Sequence, residues 1–301
     1  MMTEPTLHHV LCPAADAGHA GHRMAYWEWN ATGNPAHPHV IVCVHGLTRQ
    51  GRDFDVLARA LCHRARVICP DVAGRGQSDW LADAMHYQIP LYAADMRVLL
   101  THLQQHSPLR VLDWVGTSMG GLIGMWLCGQ PELPLQLRRL VLNDVGPTLE
   151  WTGLARIRQY VGHTAYFATV EQAADALWAV SSSFGPHTRE QWLMLSRPML
   201  RALDSGGFTL HYDPAIAQAM QQMTAADLHS SNQALWQVYE RITAQVLLLR
   251  GAQSDLLSSE VAQRMQHTGP RARRVDFAGV GHAPTLIAPD QVQTVVTFLQ
   301  E

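Results

Sequence analysis

Apolar and polar positions along the chain follow two rhythms, and their placement sets the expected fold. Residues 23–29 (RMAYWEW) alternate with period two and read as an antiparallel edge strand with one face covered. Segments 40–45 (VIVCVH), 65–70 (ARVICP) and 245–250 (QVLLLR) are near-continuous apolar runs, as expected of strands covered on both faces. Segments 111–115, 137–143 and 273–277 read as further strands. Between them, 53–62, 92–106, 120–128, 260–267 and 291–299 read as helices. In 92–106, Met96, Leu99, Leu100 and Leu103 recur at the three–four spacing of a helix face.

Strands alternating with helices imply a mostly parallel sheet with right-handed crossovers and helices on both faces, an α/β fold. The alternation stops at about Pro147 and resumes after Arg241. The segment between has a helical pattern and no convincing strand. Breakers interrupt it at Gly162, Gly185-Pro186, Pro198, Gly206-Gly207 and Pro214, and aromatics including Trp151 and Trp178 are spread along it. The expected organisation is therefore a core domain of residues 1–146 and 242–301, with 147–241 a helical lid over one end of the sheet.

Composition narrows the class. A chain of 301 residues can hold one large α/β domain with an insertion. The formal charge of −3 supplies no basic field for nucleic acid. Cys12, Cys43, Cys62, Cys69 and Cys128 are odd in number and lack C-x-x-C spacing, so neither a zinc site nor a disulfide framework is expected. Glu4 and the absence of an early apolar run argue against a signal peptide. No stretch approaches the roughly 18 apolar residues of a membrane span. The expected location is the cytoplasm.

The sharpest chemical signal is Gly116-Thr117-Ser118-Met119-Gly120, followed by Gly121, between a strand and a helix. G-x-S-x-G places a serine on a tight strand-to-helix turn, and small neighbours let the backbones pass. Alone the motif is weak, with a chance match on the order of one in ten in such a chain; its place at a strand's carboxyl end strengthens it. Ser118 needs a base. His282, in Gly279-Val280-Gly281-His282-Ala283-Pro284 after the last strand, fits in chain order, whereas most of the seventeen histidines read as surface residues.

The imidazole needs a carboxylate to set its tautomer. Asp255 and Asp144 both stand just past strand ends. Asp255 is favoured because its short loop should sit beside the histidine loop, and Asp144 reads as structural. The oxyanion donors are expected to be the backbone N–H groups of Met119, at a helix start, and of Leu47, in His45-Gly46-Leu47-Thr48. His45 reads as organising that loop. Gly46, Trp151 and Trp178 are the candidate substrate-binding residues, although a lid aromatic is more often simply core.

Together these segments resemble the α/β-hydrolase superfamily over nearly the whole chain. They look like a bacterial carboxylesterase subgroup with HGLTRQGRDFD, GRGQSDW and DWVGTSMGGLIGM segments, some of whose members are similar to esterases accepting aliphatic polyesters. The resemblance implies an eight-stranded sheet, the triad Ser118, Asp255 and His282, and oxyanion donors Leu47 and Met119. It implies a serine carboxylesterase of short- to medium-chain or oligomeric esters, with no cofactor and no metal. Ser118 argues against the branches with an aspartate nucleophile. Carbon–carbon bond hydrolases, lactonases and perhydrolases on the same triad remain alternatives. A non-enzymatic binding protein would be expected to have lost part of the set, and all of it is present.

Overall fold

The computed structural model describes residues 4–14, 16, 20–129, 133 and 135–301. Ten strands and ten α-helices follow one another among these described residues. The strands are β1 (Thr6–Cys12), β2 (His22–Trp29), β3 (His39–Val44), β4 (Arg66–Pro70), β5 (Val111–Thr117), β6 (Arg139–Asn143), β7 (Leu200–Ala202), β8 (Phe208–Leu210), β9 (Gln245–Gly251) and β10 (Arg273–Phe277). The helices are α1 (Asp55–Leu61), α2 (Ile89–His106), α3 (Met119–Cys128), α4 (Trp151–Arg158), α5 (Val170–Ser181), α6 (Arg189–Ser196), α7 (Ile216–Gln222), α8 (Ala225–Tyr239), α9 (Ser259–His267) and α10 (Pro289–Gln300).

Eight strands form one sheet in the order β1-β2-β4-β3-β5-β6-β9-β10. Pairings from β4 through β10 are parallel, and those of β1 with β2 and of β2 with β4 are antiparallel. The apolar runs are strands with a core on each side. In β3, Val40, Val42 and Val44 face one core while Ile41 and Cys43 face the other; in β9, Val246 and Leu248 oppose Leu247 and Leu249. The first core takes Met96, Leu99 and Leu103 of α2 with Ile123 and Leu127 of α3. The second takes Leu57 and Leu61 of α1 with Val295 and Phe298 of α10. Burying such side chains on both faces, at about 25 cal/mol per Å² of apolar surface, is what holds these strands in the middle of the fold.

Three expectations need correction. The edge strand is β1 rather than 23–29, which forms β2 and is paired on both sides. β1 carries His8 and His9 and is largely exposed, so its alternation is faint in the sequence. Residues 147–241 are not purely helical. β7 and β8 pair as a hairpin across Gly206 and Gly207, both at positive φ. Strands of three residues are too short to display a period. Finally, 53–62 begins as a 3-10 turn, Gly51–Phe54, before α1.

Buried polar groups tie the layers together. His22 and Asp95 meet at 3.0 Å, joining β2 to α2. Asp71, wholly buried, accepts from the Gly51 and Gln77 N–H groups at 2.7 and 2.9 Å. No disulfide joins the five cysteines, all of which are described. Among the described residues no helix is long and apolar enough to cross a membrane.

Candidate active site

At the carboxyl end of β5 the chain turns sharply into α3. Ser118 sits on that turn at φ 51 and ψ −114, a conformation side-chain-bearing residues rarely adopt. The small neighbours make it possible. A Cβ on Gly120 would lie 2.0 Å from the Val44 carbonyl oxygen, and one on Gly116 would lie 2.3 Å from that of Gly120. The Ser118 N–H donates to the Asn143 carbonyl at 2.9 Å. The Asn143 amide donates to Thr117 Oγ1 at 2.9 Å and to the Pro284 carbonyl at 2.8 Å, fastening the serine turn to the histidine loop. Asn143, the last residue of an apolar strand, carried no motif signal in the sequence.

Ser118 Oγ lies 2.9 Å from His282 Nε2, and His282 Nδ1 lies 2.7 Å from Asp144 Oδ2. An ionised carboxylate only accepts hydrogen bonds. Facing Nδ1, it keeps the proton there and leaves Nε2 to accept the serine hydroxyl proton. Asp144 is fully buried and His282 is 7% exposed, so bulk water scarcely competes for these bonds.

The carboxylate on His282 is therefore Asp144, not Asp255, and the expectation for Asp255 is corrected. Asp144 follows β6 directly at φ 56, which turns its side chain back across the sheet edge. Its Oδ1 accepts from the Gly251 N–H at 2.8 Å and its Oδ2 from Ser254 Oγ at 2.6 Å. The loop after β9, expected to deliver the acid, instead delivers donors to one. Asp255 forms a two-pronged ion pair with Arg156 of α4, at 2.6 and 2.9 Å. Those hydrogen bonds hold its pKa below the ordinary carboxylate value.

Leu47 and Gly46 stand beside the serine. A Cβ on Gly46 would lie 3.8 Å from Ser118 Cβ. Their loop is fastened by His45 and Arg75, both with no solvent exposure. The Val72 N–H donates to His45 Nε2 at 2.9 Å, which puts the imidazole proton on Nδ1, donated to the Gly46 carbonyl at 2.7 Å. Burial, with the nearby Arg75 and Arg49 cations, pushes the His45 pKa down to about 3, so the ring stays neutral. Arg75 Nε donates to the Leu47 carbonyl at 2.8 Å and Nη1 to Tyr92 Oη at 2.9 Å. Fixing the Leu47 carbonyl orients the loop that carries the Leu47 N–H. Met119 is the first residue of α3, where a helical N–H has no partner inside the helix.

Ser118 and His282 open onto a cavity of about 270 Å³. One wall is the 46–49 loop, and the opposite wall comes from the insertion, with Ile157, Val161, Leu177, Phe184 and Met199. Its lining is mainly apolar. Arg49 and Asp53 also face it and bond each other through two contacts of 2.6 Å. Of the three candidate substrate-binding residues, Gly46 lines the cavity and Trp151 and Trp178 do not. Trp151 lies under the Arg158 guanidinium, and Trp178 packs edge-on to Trp192. Both are aromatics of the insertion's outer packing, and size and hydrophobicity alone did not reveal which way they face.

Residues 41–294 match the model of a family described as the alpha/beta hydrolase family. The chain is 46% identical over 301 residues to a 3-hydroxybutyrate-oligomer hydrolase of Cupriavidus necator, covering 99% of each chain. It is 23% identical over 268 residues to a pimeloyl-[acyl-carrier protein] methyl ester esterase of Vibrio cholerae, covering 86% of this chain and 91% of the relative. A crystal structure of an alpha/beta hydrolase from Novosphingobium aromaticivorans superposes with a TM-score of 0.84 at 33% identity, covering 100% of this chain and 99% of that one.

Proposed function

This chain belongs to the alpha/beta hydrolase family, and we propose that it hydrolyses the ester bonds of short 3-hydroxybutyrate oligomers through an acyl-enzyme on Ser118. The observation that carries the reading is the hydrogen-bonded line Ser118–His282–Asp144 at the wall of an apolar cavity. The full-length likeness to the Cupriavidus necator oligomer hydrolase supports the substrate.

His282 Nε2 takes the Ser118 proton as Oγ attacks the ester carbonyl carbon. The resulting oxyanion sits on the Leu47 and Met119 N–H groups, where donors held in place before reaction stabilise charge without reorganising. The carbon–alkoxide bond breaks, His282 protonates the leaving oxygen, and the acyl group stays on Ser118. Water, deprotonated by the same nitrogen, then releases the acid. Asp144 holds the imidazole tautomer throughout and stabilises the imidazolium.

Residues 147–241 act as the lid, contributing the wall opposite the 46–49 loop. A cavity of about 270 Å³ lies near the lower end of small-molecule sites and suits a few methyl-bearing ester units rather than a polymer surface. We place the enzyme in the cytoplasm, where its four buried thiols and the half-buried Cys128 would stay reduced. Acid release from 3-hydroxybutyrate dimer, trimer and solid polyester tests the reading. Fast turnover of dimer and trimer is expected. Hydrolysis of p-nitrophenyl butyrate with no release from either oligomer would overturn the substrate assignment.

A further inference from the structure

The cavity beside Ser118 holds one fixed cation among its described lining residues, Arg49, and one carboxylate, Asp53. Arg49 is nearly buried, with 11% of its side chain exposed. A guanidinium has five N–H donors. Nε donates to Asp53 Oδ2, and Nη2 donates to Asp53 Oδ1 and to the Leu195 carbonyl at 3.1 Å. The two donors of Nη1 meet no acceptor among the described residues. Because Asp53 occupies the Nε/Nη2 edge of the planar group, Nη1 lies on the edge turned from it. Arg49 Cγ and Ser118 Cβ lie 3.9 and 3.8 Å from the position a Gly46 Cβ would take, so the two side chains start less than about 8 Å apart.

An oligomer of a hydroxy acid ends in a carboxylate, always on the alcohol side of whichever ester is cut. Entering a mainly apolar cavity strips water from that carboxylate, at a cost unless donors replace it. From these positions we infer that Arg49, through Nη1, anchors the terminal carboxylate of the substrate. This rests on the oligomer reading of the site. Asp53 neutralises the guanidinium while the cavity is empty and holds its plane in place. The carboxyl-terminal unit then sits on the leaving side, so it departs first as free 3-hydroxybutyrate while the remainder stays esterified to Ser118. Arg49 is a specificity residue in this account: it touches the end of the substrate and not the reacting ester.

The test compares kcat/KM for the 3-hydroxybutyrate dimer and for the methyl ester of the same dimer. Wild type is expected to favour the free acid. Arg49→Gln is expected to reduce that preference by roughly 10- to 100-fold, as loss of a charge-assisted hydrogen bond does, chiefly through KM for the acid. Arg49→Lys should restore part of it. A merely structural Arg49 would lower both substrates equally, and that result, or equal wild-type turnover of acid and methyl ester, overturns the anchor alone. No wild-type turnover of either dimer, with p-nitrophenyl butyrate still cleaved, overturns the oligomer reading and the anchor with it. Should Arg49→Gln not fold, wild type still decides. 3-Hydroxybutyrate should inhibit p-nitrophenyl butyrate hydrolysis at least roughly tenfold more tightly than its amide, and equal inhibition refutes the anchor.

Discussion

Replacing Asp144 by Asn separates the two acids more sharply than any other change. The Asp144 carboxylate accepts from His282 Nδ1, Ser254 Oγ and the Gly251 N–H, all within 2.8 Å and away from solvent. An amide has one oxygen, and the Gly251 backbone N–H, which donates to Oδ1, keeps it there, so the NH2 takes the Oδ2 position and Ser254 Oγ loses its acceptor. The NH2 then faces His282 Nδ1, which must become the acceptor, so the ring proton moves to Nε2. In that tautomer Nε2 cannot take the Ser118 proton, and the imidazolium formed in the transition state loses its counter-charge. Loss of this arrangement costs roughly 10⁴ in kcat, equivalent to about 5 kcal/mol of transition-state stabilisation. Asp255→Asn breaks only a partly exposed ion pair, with 33% and 38% of its side chains accessible. Such pairs are worth about 0–1 kcal/mol of stability, and turnover should stay within a few-fold of wild type. Both variants are assayed on p-nitrophenyl butyrate, with thermal melts to confirm folding. A folded Asp144→Asn within tenfold of wild type, or an Asp255→Asn loss of about 10³ or more, would refute the assignment.

Acid should destabilise the protein through His45. Its folded pKa, about 3, lies below its ordinary value of 6.5, so below pH 6.5 the unfolded chain binds a proton that the folded one refuses. The stabilisation is present above that pH and is lost at about 1.4 kcal/mol per unit as pH falls toward 3. Urea unfolding between pH 7 and 4 checks this, and a flat profile would contradict it. Arg75→Lys cannot reproduce the bonds to the Leu47 carbonyl and Tyr92 together, so kcat should fall roughly 10²-fold as the oxyanion loop loosens. Unchanged kcat in a folded variant would show the loop is held otherwise. Gly120→Ala drives a methyl into the Val44 carbonyl and should cost more than about 3 kcal/mol; a melt close to wild type would refute that close approach.

The sheet was legible because its central strands bury both faces, which leaves apolar runs that no exposed segment would carry. Ser118 and His282 were legible because each is marked locally, by glycines that its turn or loop requires. Asp144 was not. It and Asp255 both follow strands, and what separates them lies across space: burial, a positive φ, and donors from Gly251 and Ser254, a hundred residues further along. The sequence places those donors in the very loop that made Asp255 attractive. Trp151 and Trp178 failed for a related reason, since aromatic character signals packing but not the direction of packing. Arg49 belongs to the same class of hidden feature. Its charge is visible in HGLTRQGRDFD, but its ion pair with Asp53 and its exposure to the cavity are not.

The central claim, that Ser118 is the nucleophile for oligomer hydrolysis, is tested most directly by titrating dimer turnover with a fluorophosphonate while mapping the labelled peptide. Activity is expected to fall in proportion to label, reaching zero at one equivalent, all of it on Ser118. Full oligomer turnover by stoichiometrically labelled enzyme, or inactivating label on any other residue, would contradict the account.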